Sequence, residues 1–227
     1  MNKNIAVLIP AYNPNEKLIE LVGKISNEIT NRIVVVNDGS NSKCVFEKIK
    51  NNCIILENKI NKGKGYSLKK GLAWLAEQEN EIIGIVTVDA DGQHTIKDVK
   101  NIAKKLEENH RKDKQKIILG IRDFSEGNIP IKNKFGNKIT ANIFRKKTGV
   151  EIKDTQTGLR GIPIKNVKEF TKLKGNRYEY EQNMLIDIIK KDIPFEQVHI
   201  STIYNKSKSN FNVIIDSYKI IKAIINE

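Results

Sequence analysis

Two carboxylates one residue apart follow an apolar segment in the middle of the chain. Asp89 and Asp91 come directly after residues 85–88, which have the composition of a buried strand. Two carboxylates at i and i+2 past a strand end can converge on one divalent cation, which can in turn hold a diphosphate. The pair therefore indicates metal-assisted phosphate chemistry, although Asp and Gly are also common at strand exits for turn reasons alone.

Two other apolar segments end in the same way. Residues 5–13 have the character of a buried strand closed by Pro10, and residues 33–40 repeat the plan of a strand followed by an acidic turn at Asp38. Three such strands predict one parallel sheet with a shared carboxyl edge. In open α/β sheets that edge is where ligands bind.

Apolar periodicity predicts helices between these strands. Asn13 is the expected N-cap of the first helix, with Pro14 at the first helical position. Thr95 is the expected N-cap of a later helix. Further helices are predicted over residues 43–50, 67–79 and 132–147, and further strands over residues 53–57 and 116–120. The alternation predicts an α/β fold.

Four motifs, in this order and spacing, resemble the family 2 glycosyltransferases of GT-A fold: residues 9–13, 35–40, 61–65 and 89–94. The likeness is greatest to the branch with dolichyl-phosphate mannosyltransferase and bactoprenol glucosyltransferases, and it continues through residues 154–160 and 177–181. The resemblance implies a mostly parallel central sheet flanked by helices. It also implies an inverting, metal-dependent transfer of a sugar from a nucleotide-diphosphate sugar to a polyprenyl phosphate or a cell-surface glycan.

The resemblance also implies a donor site. Asp38 would accept hydrogen bonds from the base or ribose, and a helix start around Lys64 would offer backbone amides and a cation to the diphosphate. Asp89, Asp91 and Gln93 would hold Mg²⁺ or Mn²⁺, whereas His94 is expected to make a loop contact. The full set of expected donor-binding residues is Pro10, Ala11, Tyr12, Asn13, Asp38, Gly63, Lys64, Asp89, Ala90, Asp91 and Gln93.

The acceptor side and the catalytic group are expected in the second half. Arg122 and Arg160 could clamp phosphate oxygens in a bidentate manner. Besides Asp91, the expected catalytic residues are Glu179 and Glu181, either of which could take a proton from a sugar hydroxyl. Glutamates at a helix start also suit the helix dipole without any function, and a polyprenyl phosphate acceptor would need no base.

The chain of 227 residues is expected to form a single glycosyltransferase domain, with residues 1–122 binding the nucleotide sugar and residues 123–227 binding the acceptor. Its net charge of +13 favours polyanions or an anionic membrane, unless it reflects a general bias toward Lys and Asn. No zinc-finger, RNP or recognition-helix pattern accompanies the charge, so nucleic acid is not an expected partner.

No membrane-spanning stretch or signal-peptide pattern is evident, which predicts a cytoplasmic protein. The basic segment 132–147 and the amphipathic segment 213–225 leave open a peripheral contact at the inner face of the plasma membrane or with a membrane partner protein. Cys44 and Cys53 are expected to be free thiols, with a disulfide possible only if the fold brings them together.

Two alternative functions fit the same residues. A haloacid-dehalogenase-like phosphatase would use Asp89 as its nucleophile and Asp91 as its acid. Gln93 replaces the small or hydroxyl residue of that motif, and the Asp38 and Lys64 motifs would go unexplained. The second alternative is a non-catalytic sugar-nucleotide-binding subunit on the same fold.

Overall fold

The computed structural model describes residues 4–30, 32–78, 82–123 and 131–201, with backbone alone for residues 131–136. Strands and helices alternate along most of this length, as the sequence predicts. In chain order they are β1 Ile5–Ala11, α1 Glu16–Glu28, β2 Ile33–Asn37, α2 Cys44–Ile49, β3 Ile54–Glu57, α3 Lys64–Ala76, β4 Gly84–Thr87, α4 Ile96–Arg111, β5 Ile117–Arg122, α5 Ile131–Thr148, β6 Arg160–Pro163, α6 Ile164–Phe170, α7 Glu179–Lys190 and β7 Phe195–Ile200.

The strands form one sheet in the order β3-β2-β1-β4-β6-β5-β7. All neighbouring pairs are parallel except those of β6, which runs antiparallel to both β4 and β5. The expected mostly parallel sheet is therefore confirmed. Because β2, β1 and β4 are adjacent and parallel, their carboxyl ends lie at the same edge.

Alternate residues of the strands enter two apolar cores, one on each face of the sheet. Leu8 of β1 packs in the core that includes residues of α3, α6 and α7. Val7 and Ile9 pack in the core that includes residues of α1, α2 and α4. Successive side chains of a strand point to opposite faces, so a sheet covered on both faces needs the nearly continuous apolar strands seen in the sequence.

The start of α1 differs from the prediction. The helix begins at Glu16, and Asn15 is the N-cap, accepting a hydrogen bond from the backbone of Lys17. Asn13 instead has a positive φ of 47°. Its backbone N–H donates to Ser40 Oγ, and its side-chain oxygen accepts from the backbone of Asn41. The prediction of Asn13 as N-cap is wrong because Asn13 joins the end of β1 to the turn after β2.

Other predicted elements are found with small shifts. Thr95 is the N-cap of α4, where its hydroxyl accepts from the backbone of Asp98. The expected helix over residues 67–79 begins earlier, at Lys64, so that Lys64 is the first residue of α3.

Cys44 is exposed and Cys53 half-buried, and both are free as expected. Burial raises the pKa of the Cys53 thiol to about 11. Within the described ranges, no helix combines the length and apolar character needed to cross a bilayer. The amphipathic segment 213–225 lies outside the described residues.

Gly23 offers a test of this packing. It lies inside α1, and a Cβ added there would meet no atom within 4 Å. Gly in a helix interior costs roughly 0.5–1 kcal/mol relative to Ala, because it loses more backbone freedom on folding. Gly23→Ala should therefore raise the free energy of unfolding by about that amount in urea denaturation. An equal or lower stability would contradict the open space assigned to this position.

Candidate active site

The candidate site lies at the carboxyl edge of β1, β2 and β4, as the three strand ends predict. Tyr12 and Asn13 follow β1, Asp38 follows β2, and Asp89 and Asp91 follow β4. Ala11 is buried within the strand, whereas Tyr12 is half-buried and Asn13 exposed. The parallel register explains why residues far apart in the chain meet here.

Asp38 organises the segment that leads into α3. Its buried carboxylate accepts hydrogen bonds from Asn58 Nδ2 at 2.8 Å, from the backbone N–H of Lys62 at 3.0 Å and from that of Gly63 at 2.8 Å. An ionised carboxylate has about four acceptor positions, so three are already used within the protein. Its expected hydrogen bond to the base or ribose stays a prediction.

The backbone amides at the start of α3 are less available than the sequence suggests. Those of Lys62 and Gly63 donate to Asp38, and that of Tyr66 donates to the carbonyl of Asn176 at 2.9 Å. A Cβ on Gly63 would lie 2.4 Å from the same carbonyl. These three amides therefore fasten the helix start to neighbouring segments, and Lys64 is the stronger candidate for contact with a diphosphate.

Lys64 joins two parts of the chain that are far apart in sequence. Its Nζ lies 2.7 Å from Asp89 Oδ1 and 2.9 Å from Glu181 Oε2. Burial disfavours the charged form of Lys64, but the two carboxylates outweigh it and raise the pKa of Lys64 above its ordinary value. Burial alone would raise the pKa of Asp89. The positive charge of Lys64, with a smaller contribution from His94, outweighs burial and lowers this pKa well below its usual range.

The two aspartates of the predicted metal pair differ in their surroundings. Asp89 Oδ2 lies 3.4 Å from His94 Nε2, so both oxygens of Asp89 are in contact with basic groups. Asp91 Oδ1 accepts a hydrogen bond from the backbone of Gln93 at 3.0 Å. Burial, and after it the charge of Asp89, raises the pKa of Asp91. The charge of Asp89 thus disfavours ionisation of Asp91.

This pair fits a divalent cation. Mg²⁺ and Mn²⁺ prefer oxygen ligands, and a cation between Asp89 and Asp91 would offset their repulsion. In the part of the chain that the structure describes, no group of three or more His, Cys, Asp and Glu side chains is placed to hold a metal ion. Further ligands would have to come from elsewhere, such as the Gln93 side chain or the oxygens of a bound diphosphate.

Gly158 packs closely against the carboxylate of Asp89. A Cβ at this position would lie 2.6 Å from both carboxylate oxygens of Asp89. The carbonyl of Gly158 accepts a hydrogen bond from Thr87 Oγ1 at 2.7 Å, which fixes the segment against β4. The glycine in the motif at residues 154–160 thus leaves room for the first carboxylate of the pair.

The two candidate bases have different environments. Glu179 Oε1 accepts hydrogen bonds from the backbone N–H groups of Asn176 and Arg177 and so holds the segment that precedes α7. Glu181, one half-turn later, is buried and faces Lys64. Of the two, Glu181 is the carboxylate that joins the cluster around Asp89.

The two arginines expected at an acceptor phosphate both have partners within the protein. Arg122 makes a bidentate ion pair with the buried Asp154, with Nε 2.6 Å from Oδ2 and Nη2 3.1 Å from Oδ1. Arg160 is 2% exposed; its Nε donates to the carbonyl of Thr157 and its Nη1 to that of Glu181. Burial disfavours Arg160 as a phosphate clamp. The guanidinium of Arg160 instead forms a hydrogen bond with the first turn of α7.

Sequence reasoning missed the contact between Lys64 and Glu181 and the role of Gly158. Neither follows from local spacing, because α7 reaches the site through tertiary packing. The one available signal was the pair of motifs at residues 61–65 and 177–181, both assigned to the site but not to each other.

Comparison with known proteins gives a family match and two relatives that are similar over most of the chain. The model of the family described as glycosyl transferase family 2 matches residues 6–162. An uncharacterised protein of Methanocaldococcus jannaschii is 31% identical over 99% of this chain and 93% of its own length. The UDP-N-acetylglucosamine–dolichyl-phosphate N-acetylglucosaminyltransferase of Methanococcus voltae is 28% identical over 90% of this chain and 88% of its own.

Among solved structures, the fold is similar to glucosyl-3-phosphoglycerate synthase from Mycobacterium tuberculosis in complex with Mn²⁺, UDP and glucosyl-3-phosphoglycerate. The TM-score is 0.73 at 14% identity, over 99% of this chain and 79% of that chain. This likeness confirms the expected GT-A type of α/β fold. The family match does not favour the phosphatase alternative.

Proposed function

Because this chain belongs to glycosyltransferase family 2 and is therefore an enzyme that uses nucleotide sugars, we propose that it transfers a sugar to a polyprenyl phosphate in a metal-dependent, inverting reaction. The observation that carries the proposal is the cluster of Asp89, Asp91, Lys64 and Glu181 at the carboxyl edge of the sheet. This cluster combines a carboxylate pair suited to a cation with a lysine suited to a diphosphate.

In this proposal, residues 1–122 bind the donor and residues 123–227 bind the acceptor. Asp89 and Asp91 hold Mg²⁺ or Mn²⁺, with Gln93 as a further oxygen ligand. When bound, the metal offsets negative charge on the leaving nucleoside diphosphate. The half-buried Tyr12, which follows β1, is assigned to the nucleotide, and Lys64 is assigned a positive charge beside the diphosphate.

The choice of acceptor rests on the relatives and on the ion pair between Glu181 and Lys64. The dolichyl-phosphate transferase of M. voltae is similar over most of both chains. A phosphate monoester is already an anionic nucleophile, so a general base is not needed. Glu181, which is paired with Lys64 at 2.9 Å, then serves to position that lysine. Arg122, at the end of β5, is the candidate for contact with the acceptor phosphate.

Transfer of a radiolabelled sugar tests this proposal. UDP-, GDP-, dTDP- and CMP-sugars are offered in turn with Mn²⁺ and either a short polyprenyl phosphate or a hydroxyl-bearing oligosaccharide. We expect label in the lipid-phosphate product with one donor. Label in the oligosaccharide alone would show that the acceptor is a glycan and not a polyprenyl phosphate. Label in neither product would contradict the proposed transfer.

Glu181→Gln distinguishes the two acceptor classes by rate. With a polyprenyl phosphate we expect kcat to fall by less than about tenfold, because no proton has to be removed. A general base contributes typically about 10²- to 10⁴-fold, so a loss of that size would show that the acceptor is a hydroxyl. Glu179→Gln is the matched control, since the Glu179 carboxylate bonds the backbone of the segment before α7 and its loss is expected to affect stability more than rate.

A further inference from the structure

The Lys64 ammonium lies where a second cation would compete with it. Its Nζ is 2.7 Å from Asp89 Oδ1, which is one of the oxygens expected to bind the metal. The Lys64 side chain is 17% exposed, so little water screens the charges. A divalent ion that took the same oxygen would lie within direct repulsion of the ammonium. The two cations would therefore compete for Asp89.

Lys64 has a second anchor that would remain if it left Asp89. Glu181 Oε2 is 2.9 Å from the same Nζ, and Glu181 is held in place because its carbonyl accepts a hydrogen bond from the buried Arg160. A lysine side chain is a point charge on a flexible four-carbon stem, with three donors that can re-orient. Its head can thus turn away from Asp89 without losing every partner.

We propose that Lys64 is an exchangeable counter-cation: it neutralises Asp89 in the nucleotide-free protein and gives way when a divalent metal arrives with a diphosphate. The diphosphate supplies the anionic partner that the ammonium loses at Asp89, and Glu181 keeps the lysine beside the site. Lys64 then makes metal binding depend on the nucleotide. This inference rests on the metal site of the proposed function.

Mn²⁺ binding, measured by the loss of the free-ion EPR signal, tests the exchange without any turnover. Lys64→Met removes the competing ammonium, so the nucleotide-free variant should bind Mn²⁺ about tenfold more tightly than the unaltered protein. Lys62→Met is the matched control. It removes the same charge two residues away, from a side chain that contacts Tyr66 at the surface. The control should change the affinity by less than about twofold, because exposed charges are screened.

Adding UDP or GDP gives the second readout. The diphosphate should strengthen Mn²⁺ binding more in the unaltered protein than in Lys64→Met, because in the unaltered protein it also removes the competitor from Asp89. A thermal melt of each variant shows that it is folded. Lys64→Gln, which is neutral and keeps a hydrogen-bond donor, replaces Lys64→Met should the methionine variant not fold.

Two results would overturn the exchange while leaving the metal site in place. One is an unchanged or weaker Mn²⁺ affinity of nucleotide-free Lys64→Met, and the other is an equal gain in Lys62→Met. A third result has a wider consequence. If the unaltered protein does not bind Mn²⁺ with UDP, GDP, dTDP or CDP present, both the exchange and the metal dependence of the proposed function are wrong.

Discussion

Asp91→Asn should lower the rate of sugar transfer by about 10²- to 10³-fold and abolish the effect of Mn²⁺ on donor binding. The change removes one charged oxygen ligand from the carboxylate pair that is expected to hold the metal. Preorganised charge at a reacting centre is commonly worth that factor. The measurement is kcat at saturating donor, together with calorimetric titration of the donor with and without Mn²⁺.

The fold should tolerate this change. Asn keeps the size of Asp and can accept the hydrogen bond from the backbone of Gln93. It also removes the repulsion from Asp89 that, after burial, raises the pKa of Asp91. The melting temperature should therefore stay the same or rise slightly. Asp192→Asn is the matched control, because Asp192 is exposed with a φ of 49° that Asn adopts readily.

Tight, Mn²⁺-dependent donor binding by Asp91→Asn would show that the metal lies elsewhere. A variant that unfolds would point instead to a structural role for Asp91. The two results are separated by the melting curve, which is recorded on the same samples.

Gly158→Ala should reduce the transfer rate by about 10²-fold. The added Cβ would lie 2.6 Å from both oxygens of Asp89, well inside van der Waals contact, so the carboxylate must move. Lys64 holds one of these oxygens and His94 contacts the other, and the whole cluster would shift with it. Misplacing a reacting group by about 1 Å can cost about 10²-fold.

Gly23→Ala is the matched control for this substitution, because the same methyl group enters open space there. It should leave the rate unchanged while raising stability. Full activity of Gly158→Ala would mean that Asp89 can move without consequence, and this would contradict its assignment as a ligand of the metal.

The location of the site at one edge of the sheet could be predicted from the sequence, because it depends on local patterns. Three apolar strands with polar exits determine where Asp38, Asp89 and Asp91 must lie once the strands are parallel neighbours. The N-cap at Thr95 was equally local, since its hydroxyl bonds the backbone three residues ahead.

Features that depend on distant parts of the chain could not be predicted in the same way. Strand β6 has four residues, including a glycine and a proline, and it is a strand because β4 and β5 pair with it on both sides. Asn13 is not the N-cap of α1, because its backbone and side chain instead form hydrogen bonds with Ser40 and Asn41 in the turn after β2.

Arg160 illustrates the same limit for function. An arginine next to a glycine-containing motif has the chemistry of a phosphate ligand, and nothing in the local sequence shows that it is buried. The structure places its guanidinium against the carbonyls of Thr157 and Glu181. Its role in the site follows from the packing of α7 rather than from the residues beside it.

Calorimetric titration with nucleotide sugars, with and without Mn²⁺, tests the central claim most directly. UDP-, GDP-, dTDP- and CMP-sugars are compared with the same protein and buffer. The proposed site predicts that one donor binds and raises the melting temperature, and that its affinity falls strongly when Mn²⁺ is removed. Equal affinity in the presence and absence of Mn²⁺, or no binding of any donor, would contradict a metal-dependent nucleotide-sugar site at Asp89 and Asp91.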